Sequence, residues 1–523
     1  MSVADPHLML AFEGTEVPDW LRRRLEESPP AGVTLFREWN MSSPDQVAEL
    51  TSALQEANSA PLPLLIAVDQ EGGQLIGLTG STEFAGNMAI GATGNVDLAS
   101  EIAVAMGREL AAVGINVNYA PVADVATRSD NPSLGIRSFG DDPDHVARLT
   151  GATVSGYAST GVHATLKHFP GSGEAAVDPH YELPRLDLDR DRLENVELRP
   201  FQAGIAAGAE LLMVAHQVVP ALTGSPDVSF CASEAGINGF VRSELGFHGL
   251  VISDALDMGA LDQGPAQVVE IIAMMRAGTD LLLCMPDPEL QERARTAVER
   301  GHSRGLIDDD TLKAAVARVE RLRGSLPTNE MRSQTVGSQD HLELARRLAQ
   351  ESITLVRNDD SLIPLRVEHG RRILALEPEP VNVTPADTTA LYPPQLAAAL
   401  RARHPDVTDV VYSHHPERSE IAAVVEKARD HDLIILGTVT ATPGQIDLVS
   451  ALLQLGKPLV TIALRTPYDL AAYPRSATHV CTYSPHRPSL DALTSALFGD
   501  IPFKGHLPAA IPGLYPHGHG IET

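Results

Sequence analysis

The first 325 residues alternate between short apolar runs and longer segments in which apolar residues recur at helical spacing. In residues 43–60 and 96–114, apolar side chains return every three or four positions, which is the period of an amphipathic helix. Runs as apolar as those between such segments are typical of strands that are buried in a parallel sheet. There are eight of these runs: Leu8–Phe12, Val33–Phe36, Leu64–Asp69, Val117–Val122, Ala164–Phe169, Leu211–His216, Leu250–Ala255 and Asp280–Met285.

Eight strand–helix units in about 300 residues predict an α/β fold of the (β/α)8 barrel type, also called a TIM-type barrel. A doubly wound open sheet is the alternative, because both folds are built from the same alternating units. If the units close into a barrel, the C-terminal ends of the strands meet on one face. Active sites of such barrels are built on that face.

After residue 325 the pattern of polar and apolar residues changes, which predicts a second domain. Residues 326–340 are polar and lack periodicity, as linkers do. An amphipathic helix is predicted at His341–Ser352, and short apolar strands then alternate with helices to the end of the chain. We therefore predict a barrel at 1–325, a linker at 326–340 and a smaller α/β sandwich domain at 341–523. No Gly-rich phosphate loop follows the first strand of that domain, so no nucleotide site is predicted there.

Charge narrows the possible partners of the protein. The 523 residues carry a net charge of −28, which repels phosphate backbones and anionic lipids and argues against nucleic-acid or membrane partners. No stretch approaches the ~20 apolar residues that a membrane span requires. The N-terminus has an early acidic residue and too short an apolar run for a signal peptide, so a cytoplasmic location is expected.

The cysteines and histidines do not predict a metal site. Cys231, Cys284 and Cys481 lie far apart in the sequence and match no metal-ligand spacing. We interpret them as buried, reduced thiols. No metal or other cofactor is therefore expected.

Polar side chains collect at the C-terminal ends of five predicted strands. Each could cap a helix or lie in a loop, but a barrel would bring them all to one rim. These residues are Asp69, Asp124, Lys167 with His168, His216 and Asp254.

A small-residue loop follows the fifth predicted strand and contains an aspartate and a histidine two residues apart, Asp178 and His180. A carboxylate this close to an imidazole holds it in one tautomer and favours its protonated form. Such a pair suits proton transfer near neutral pH. An isolated D-x-H is, however, more often an ordinary loop sequence.

Several longer motifs, in order along the chain, resemble glycoside hydrolase family 3, and in particular its β-N-acetylhexosaminidase branch. They are IAVDQEGG at 66–73, GINVNYAPVADV at 114–125, IRSFGDDP at 136–143, LKHFPGSG at 166–173 and VISDALDMGAL at 251–261. The C-terminal half is similar to the second domain of two-domain members. The resemblance implies the barrel-plus-sandwich fold and a small carbohydrate substrate.

The resemblance also implies roles for individual residues. Asp254, in the S-D-x-x-x-M motif, matches the catalytic nucleophile, and Asp178 with His180 matches the loop dyad that serves as general acid/base. The implied substrate-binding set is Asp69, Arg137, Lys167, His168, His216 and Met258.

Some of these assignments have structural alternatives. Arg137, Lys167 and His168 could form an ion cluster below the site, and His216 could equally be a satisfied core residue. Asp257 competes with Asp254 for the role of nucleophile, but we expect it to face elsewhere.

The chain departs from the family pattern at several positions. Gln74 and Gly77 stand where relatives have arginines that hold the sugar, and the family's P-G-H-G-D is P-G-S-G-E at 170–174. Pro179 separates the dyad residues, and its fixed φ narrows the conformations of that loop.

The expected function is that of a retaining β-N-acetylglucosaminidase acting on terminal N-acetyl-β-glucosaminides from cell wall or chitin. Two alternatives stay open at this point. The same residues could serve a retaining phosphorylase of β-N-acetylglucosaminides or β-glucosides, since a histidine donor places less negative charge beside phosphate than a glutamate would. With the arginines missing, the chain could also be a catalytically silent sugar-binding protein. Monomer and homodimer are both left open.

Overall fold

The structure is a computed structural model that describes residues 2–327, 331–368 and 370–523. Eight parallel strands close into a barrel with the ring order β1-β2-β3-β6-β7-β8-β9-β10, and β4 and β5 form a separate antiparallel hairpin after β3. The strands are β1 Leu8–Leu10, β2 Gly32–Thr34, β3 Leu65–Val68, β4 Gln70–Gly72, β5 Leu75–Ile76, β6 Val117–Asn118, β7 His163–Phe169, β8 Leu211–Val214, β9 Leu250–Ala255 and β10 Leu281–Cys284.

Side chains at alternate positions of a barrel strand pack into two different cores. Leu65 and Ala67 in β3 belong to a cluster inside the barrel, whereas Ile66 and Val68 pack outward into the larger cluster that includes the helices. This alternation follows from the two-residue period of a strand. The prediction of a (β/α)8 barrel is confirmed, and the open sheet is excluded.

Helices cover the outside of the barrel. The π-helix Ala235–Glu244 stands between β8 and β9, so hydrogen bonds there span five residues. The α-helices are α1 Asp19–Glu27, α2 Arg37–Asn40, α3 Pro44–Ala57, α4 Asn87–Thr93, α5 Val96–Ala112, α6 Pro143–Ala158, α7 Arg190–Arg192, α8 Arg199–Ala206, α9 Pro220–Thr223, α10 Gln267–Ala277, α11 Pro288–Ser303 and α12 Asp309–Ser325.

The second domain is a six-stranded sheet with the order β11-β16-β15-β14-β12-β13, in which only the pair β11–β16 is antiparallel. The predicted smaller α/β domain is confirmed. Its strands are β11 Thr354–Asn358, β12 Ile373–Pro378, β13 Val407–Tyr412, β14 Leu433–Thr438, β15 Leu459–Ala463 and β16 Thr478–Cys481. Its α-helices are α13 Gln339–Ser352, α14 Leu396–Arg401, α15 Arg418–Arg429, α16 Pro443–Leu453, α17 Asp469–Ala472 and α18 Arg487–Leu497.

The two domains are joined by buried polar contacts. The carboxylate of Glu109, on α5, accepts hydrogen bonds from the backbone N–H of Gly337 at 3.0 Å and from His341 Nδ1 at 2.8 Å. The boundaries at 1–325, 326–340 and 341–523 stay a prediction, and residues 328–330 of the predicted linker lie outside the described residues.

Two further observations concern the described residues as a whole. None of their helices is both long and apolar enough to cross a membrane. All three cysteines are buried and unpaired.

Candidate active site

A cavity of about 440 Å³ opens at the C-terminal ends of the barrel strands. Most of the residues singled out in the sequence line it, namely Asp69, Asp124, Arg137, Lys167, His168, His180, Asp254 and Met258. Asp178 and His216 lie behind this wall, each in contact with a residue that lines it. The strand-end polar groups therefore converge on one rim, as the barrel topology requires.

Asp254 lies near the end of β9 with its carboxylate facing the cavity. Its Oδ1 accepts a hydrogen bond from the backbone N–H of Ala255 at 2.8 Å. Burial alone would raise the pKa of Asp254, but the imidazoles of His168 and His216 and this hydrogen bond outweigh burial and lower the pKa. Asp254 is therefore ionised at neutral pH, as a nucleophilic carboxylate must be.

Asp257 lines the same cavity, so the expectation that it faces elsewhere is wrong. Strand β9 ends at Ala255, and the alternation of a strand no longer governs the turn that follows. Partial burial and the negative charge of Asp254 raise the pKa of Asp257. The two carboxyl groups are thus shifted in opposite directions, and Asp254 is the more acidic.

The predicted dyad is formed. His180 Nδ1 lies 2.6 Å from Asp178 Oδ1, which also accepts the backbone N–H of His180 at 3.0 Å. Burial alone would raise the pKa of Asp178, but the hydrogen bonds from His180 outweigh burial and lower the pKa. Because Asp178 engages Nδ1, Nε2 of His180 is the nitrogen that can exchange a proton with a molecule in the cavity.

The loop that carries the dyad is docked on the turn that follows Asp254. The backbone N–H groups of Gly259 and Ala260 donate to the carbonyl oxygens of His180 at 2.9 Å and of Pro179 at 3.0 Å. A Cβ at position 259 would lie 2.9 Å from the carbonyl oxygen of His180 and 2.8 Å from that of Tyr181. Glycine at 259 therefore permits the close approach of the two loops.

A network of four charged residues lies at the cavity; Glu71, Arg137 and Lys167 are buried, and all of the four except Glu71 line the cavity. The carboxylate of Glu71 accepts two hydrogen bonds from the guanidinium of Arg137, at 2.8 and 2.9 Å. Its Oε1 also lies 2.6 Å from Lys167 Nζ. Lys167 Nζ also donates to Asp69 Oδ1 at 2.5 Å. Burial alone would raise the pKa of Glu71, but the two cations lower the pKa to about 2. Glu71 was not singled out in the sequence, although it belongs to the same D-x-E-G-G motif as Asp69.

His168 is oriented by Asp124. Its Nδ1 lies 2.8 Å from Asp124 Oδ2, while Nε2 lies 3.2 Å from Arg137 Nη2. Asp124 Oδ1 also accepts the backbone N–H of Ser172 at 2.7 Å, which ties the loop after β7 to the same carboxylate. The arrangement fixes the imidazole plane of His168 at the cavity wall.

His216 is fully buried and makes no part of the cavity wall formed by the described residues. Its Nε2 lies 3.1 Å from the carbonyl oxygen of Ala255, and its Nδ1 lies 3.2 Å from Cys231 Sγ. Burial opposes its charged form, but Cys231 and Asp254 outweigh burial and raise the pKa of His216 to about 9. His216 therefore lies behind the cavity wall, which fits the alternative that it is a satisfied core residue, and its role in sugar binding stays a prediction.

The second domain also reaches the cavity, through residues 385–388. This contribution was not predicted, because nothing in the sequence links the segment to the barrel. On the barrel side, Phe36 and Trp39 of the segment after β2 line the cavity and were likewise not singled out.

No group of three or more His, Cys, Asp and Glu side chains among residues 2–327, 331–368 and 370–523 is arranged to hold a metal ion.

Known proteins share both the sequence and the architecture. Residues 15–322 match the model of the glycosyl hydrolase family 3 N terminal domain. The chain is 31% identical over 563 residues to beta-hexosaminidase A of Pseudoalteromonas piscicida, covering 95% of this chain and 92% of the relative. It is 32% identical to a glycoside hydrolase family 3 beta-N-acetylglucosaminidase from Paenibacillus sp. str. FPU-7, with a TM-score of 0.92 over 97% of this chain and 98% of that one.

A solved beta-glucoside phosphorylase has the same fold at 23% identity, with a TM-score of 0.81 over 97% of this chain and 93% of that one. The chain, which joins a (β/α)8 barrel to a smaller α/β domain, belongs to glycosyl hydrolase family 3. It is a glycoside hydrolase.

Proposed function

We propose that the protein is a retaining β-N-acetylglucosaminidase that removes terminal N-acetyl-β-glucosamine residues through a glycosyl-enzyme intermediate. The observation that carries the proposal is the docking of the Asp178–His180 dyad beside Asp254 in one cavity. Two similar proteins support it, since one is named a beta-hexosaminidase and the other a beta-N-acetylglucosaminidase.

In the first step, an Oδ atom of Asp254 attacks the anomeric carbon and forms an ester as the glycosidic C–O bond breaks. His180 Nε2 gives its proton to the departing oxygen. The negative charge of Asp178 stabilises the imidazolium before the step, and after it keeps the remaining proton on Nδ1 and the ring oriented. The aglycone leaves as a neutral alcohol.

In the second step, the neutral imidazole takes a proton from a water molecule, whose oxygen attacks the same carbon. The ester bond to Asp254 breaks and its carboxylate is regenerated. Two inversions at one carbon give the sugar in its original β configuration.

The charged network is proposed to bind the sugar hydroxyls. Asp69, Arg137, Lys167 and His168 line the cavity and already hold one another in place, so their donors and acceptors are pre-organised for a polyol. Met258 supplies an apolar surface in the same wall. His216 contributes through the charge state of Asp254.

The test is turnover of an aryl N-acetyl-β-glucosaminide in phosphate buffer, with product analysis by proton NMR. We expect free β-N-acetylglucosamine as the first product. A sugar 1-phosphate would instead identify a phosphorylase, for which the structural likeness at 23% identity supports the fold alone. Binding of the sugar without any turnover would identify a silent sugar-binding protein.

A further inference from the structure

Tyr181 comes directly after the proposed proton donor in the sequence, and it lines the cavity. It is also 74% exposed. Among the large hydrophobic side chains that are exposed in residues 2–327, 331–368 and 370–523, Tyr181 alone belongs to the cavity wall. An aromatic ring buries a large apolar face when a ligand covers it, which is favourable. The ring of Tyr181 is therefore available to a molecule in the cavity.

The backbone that carries this ring is held in place. The N–H of Tyr181 donates to the carbonyl oxygen of Asp178 at 3.0 Å, which makes a turn of the dyad loop. On the other side, a Cβ at Gly259 would lie only 2.8 Å from the carbonyl oxygen of Tyr181. The Cα from which the ring extends is thus fixed relative to the dyad, while most of the ring surface remains in solvent.

A second group of aromatic rings in the cavity wall is less available. Phe36 and Trp39 pack on each other, with ring centroids 5.0 Å apart, and both are partly buried. They follow β2, which stands three places from β7 in the ring of eight strands, so they are not neighbours of the dyad loop. We expect this pair to shape the wall, whereas Tyr181 offers a free ring beside the proton donor.

The place of the aglycone follows from the place of the donor. In the proposed reaction, Nε2 of His180 protonates the oxygen that links the sugar to the aglycone, so the two atoms must come within hydrogen-bond distance. The first group of the aglycone is bonded to that oxygen. Because the Cα atoms of His180 and Tyr181 are about 3.8 Å apart, the tyrosine ring is within reach of that group. This argument uses only the donor and does not depend on how the sugar attacked by Asp254 is oriented.

We infer that Tyr181 is a platform for the aglycone, on which the flat apolar face of a leaving pyranose, or of an aromatic aglycone, stacks. The inference rests on the proposed function and adds the residue that selects the leaving group. Tyr181 then determines specificity for ring-shaped aglycones over small alkyl ones, and it takes no part in proton transfer.

The experiment compares N,N′-diacetylchitobiose with methyl N-acetyl-β-glucosaminide. Both leaving groups are alcohols that need the proton of His180, but only the disaccharide carries a ring on the aglycone side. Wild-type kcat/KM should be higher for the disaccharide. In Tyr181→Ala, kcat/KM for the disaccharide should fall about tenfold, while that for the methyl glycoside should change less than ~2-fold.

Two further variants serve as controls. Tyr181→Phe keeps the ring without its hydroxyl and should retain the wild-type kcat/KM for both substrates. Trp20→Ala removes an exposed aromatic side chain of α1 that does not line the cavity, and it should also leave both values unchanged.

Equal losses for the two substrates in Tyr181→Ala would show that the residue positions the dyad and binds no aglycone. No loss for either substrate would show that the aglycone lies elsewhere. Each of these results would overturn the inference and leave the proposed function standing. If the wild-type enzyme hydrolysed neither glycoside, the proposed function would fail, and the inference with it.

Discussion

The backbone N–H of Gly259 donates to the carbonyl oxygen of His180 at 2.9 Å. This bond connects the turn five residues after Asp254 with the loop that carries the dyad. The proposed nucleophile lies at the end of β9 and the proposed proton donor lies in the loop after β7, and a hydrogen bond between backbone atoms connects the two segments. Their relative position depends on a glycine, because a side chain at 259 would collide with backbone oxygens.

Gly259→Ala should therefore reduce catalysis without unfolding the protein. The added Cβ must push the dyad loop away from Asp254. A misplacement of a catalytic group by about 1 Å can lower the rate about 100-fold. Steady-state kinetics should show the loss in kcat. Gly324→Ala is the matched control, since a Cβ there meets nothing within 4 Å and position 324 is helical. Equal kinetics for the two variants would show that the loop contact is irrelevant to catalysis.

His180→Ala should harm substrates in proportion to the basicity of their leaving groups. A poor leaving group needs the proton and should lose about 10²–10⁴-fold in kcat/KM, whereas a dinitrophenyl glycoside should lose less than ~10-fold. Asp178→Ala should show the same pattern. The double variant should be little worse than His180→Ala alone, because the pair acts as one unit. Equal losses in kcat/KM for good and poor leaving groups would show that Asp178 and His180 have only a structural role in the loop.

His216→Gln should move the acid limb of the kcat/KM profile. The imidazole of His216 is one of the groups that lower the pKa of Asp254, so its removal should raise that pKa. A smaller fraction of Asp254 is then ionised at a given low pH, and the acid limb shifts to higher pH. The control is His302→Gln, at a partly exposed histidine paired with Asp309. An unmoved acid limb would show that His216 has no influence on the nucleophile.

Glu71→Gln should destabilise the fold by about 3–5 kcal/mol near neutral pH, since it leaves Arg137 and Lys167 buried with less compensating charge. The carboxyl has a pKa of about 2 in the folded state against an ordinary value of 4.5. Its stabilising contribution is therefore complete above about pH 5 and is lost as pH falls toward 2. Denaturant unfolding at several pH values should show the wild type and variant converging at low pH. A constant difference would contradict this account.

The barrel and the residues on its rim could be predicted from the sequence because strand ends are local features. Apolar runs such as Leu250–Ala255 end in polar residues, and closure of the barrel alone brings these together. The pairing of Asp178 with His180 could be predicted equally well, since only one residue separates them in the sequence. The buried position of His216 could not be predicted from the sequence, because a histidine at the end of a strand can turn toward the cavity or toward the core.

The second-domain segment at residues 385–388 could not be placed at the cavity from the sequence, for a different reason. Its bonds to Gln74 and Ile76 span more than 300 residues, and the sequence near residue 386 has no feature that marks it for the cavity. From the sequence alone, the replacement of the family arginine by Gln74 suggests that a contact to the sugar is lost. In the structure, Gln74 is the residue to which Ala386 and Arg465 both attach.

The account depends most on Asp254 as the nucleophile, and covalent trapping tests this directly. A 5-fluoro-N-acetyl-β-glucosaminyl fluoride reacts in the first step but hydrolyses slowly in the second, so the glycosyl-enzyme accumulates. Peptide mass mapping of the trapped protein should place the sugar on the peptide that contains Asp254, with fragmentation assigning the ester to that residue. Attachment to Asp257, or turnover that passes through no covalent sugar adduct, would contradict the account.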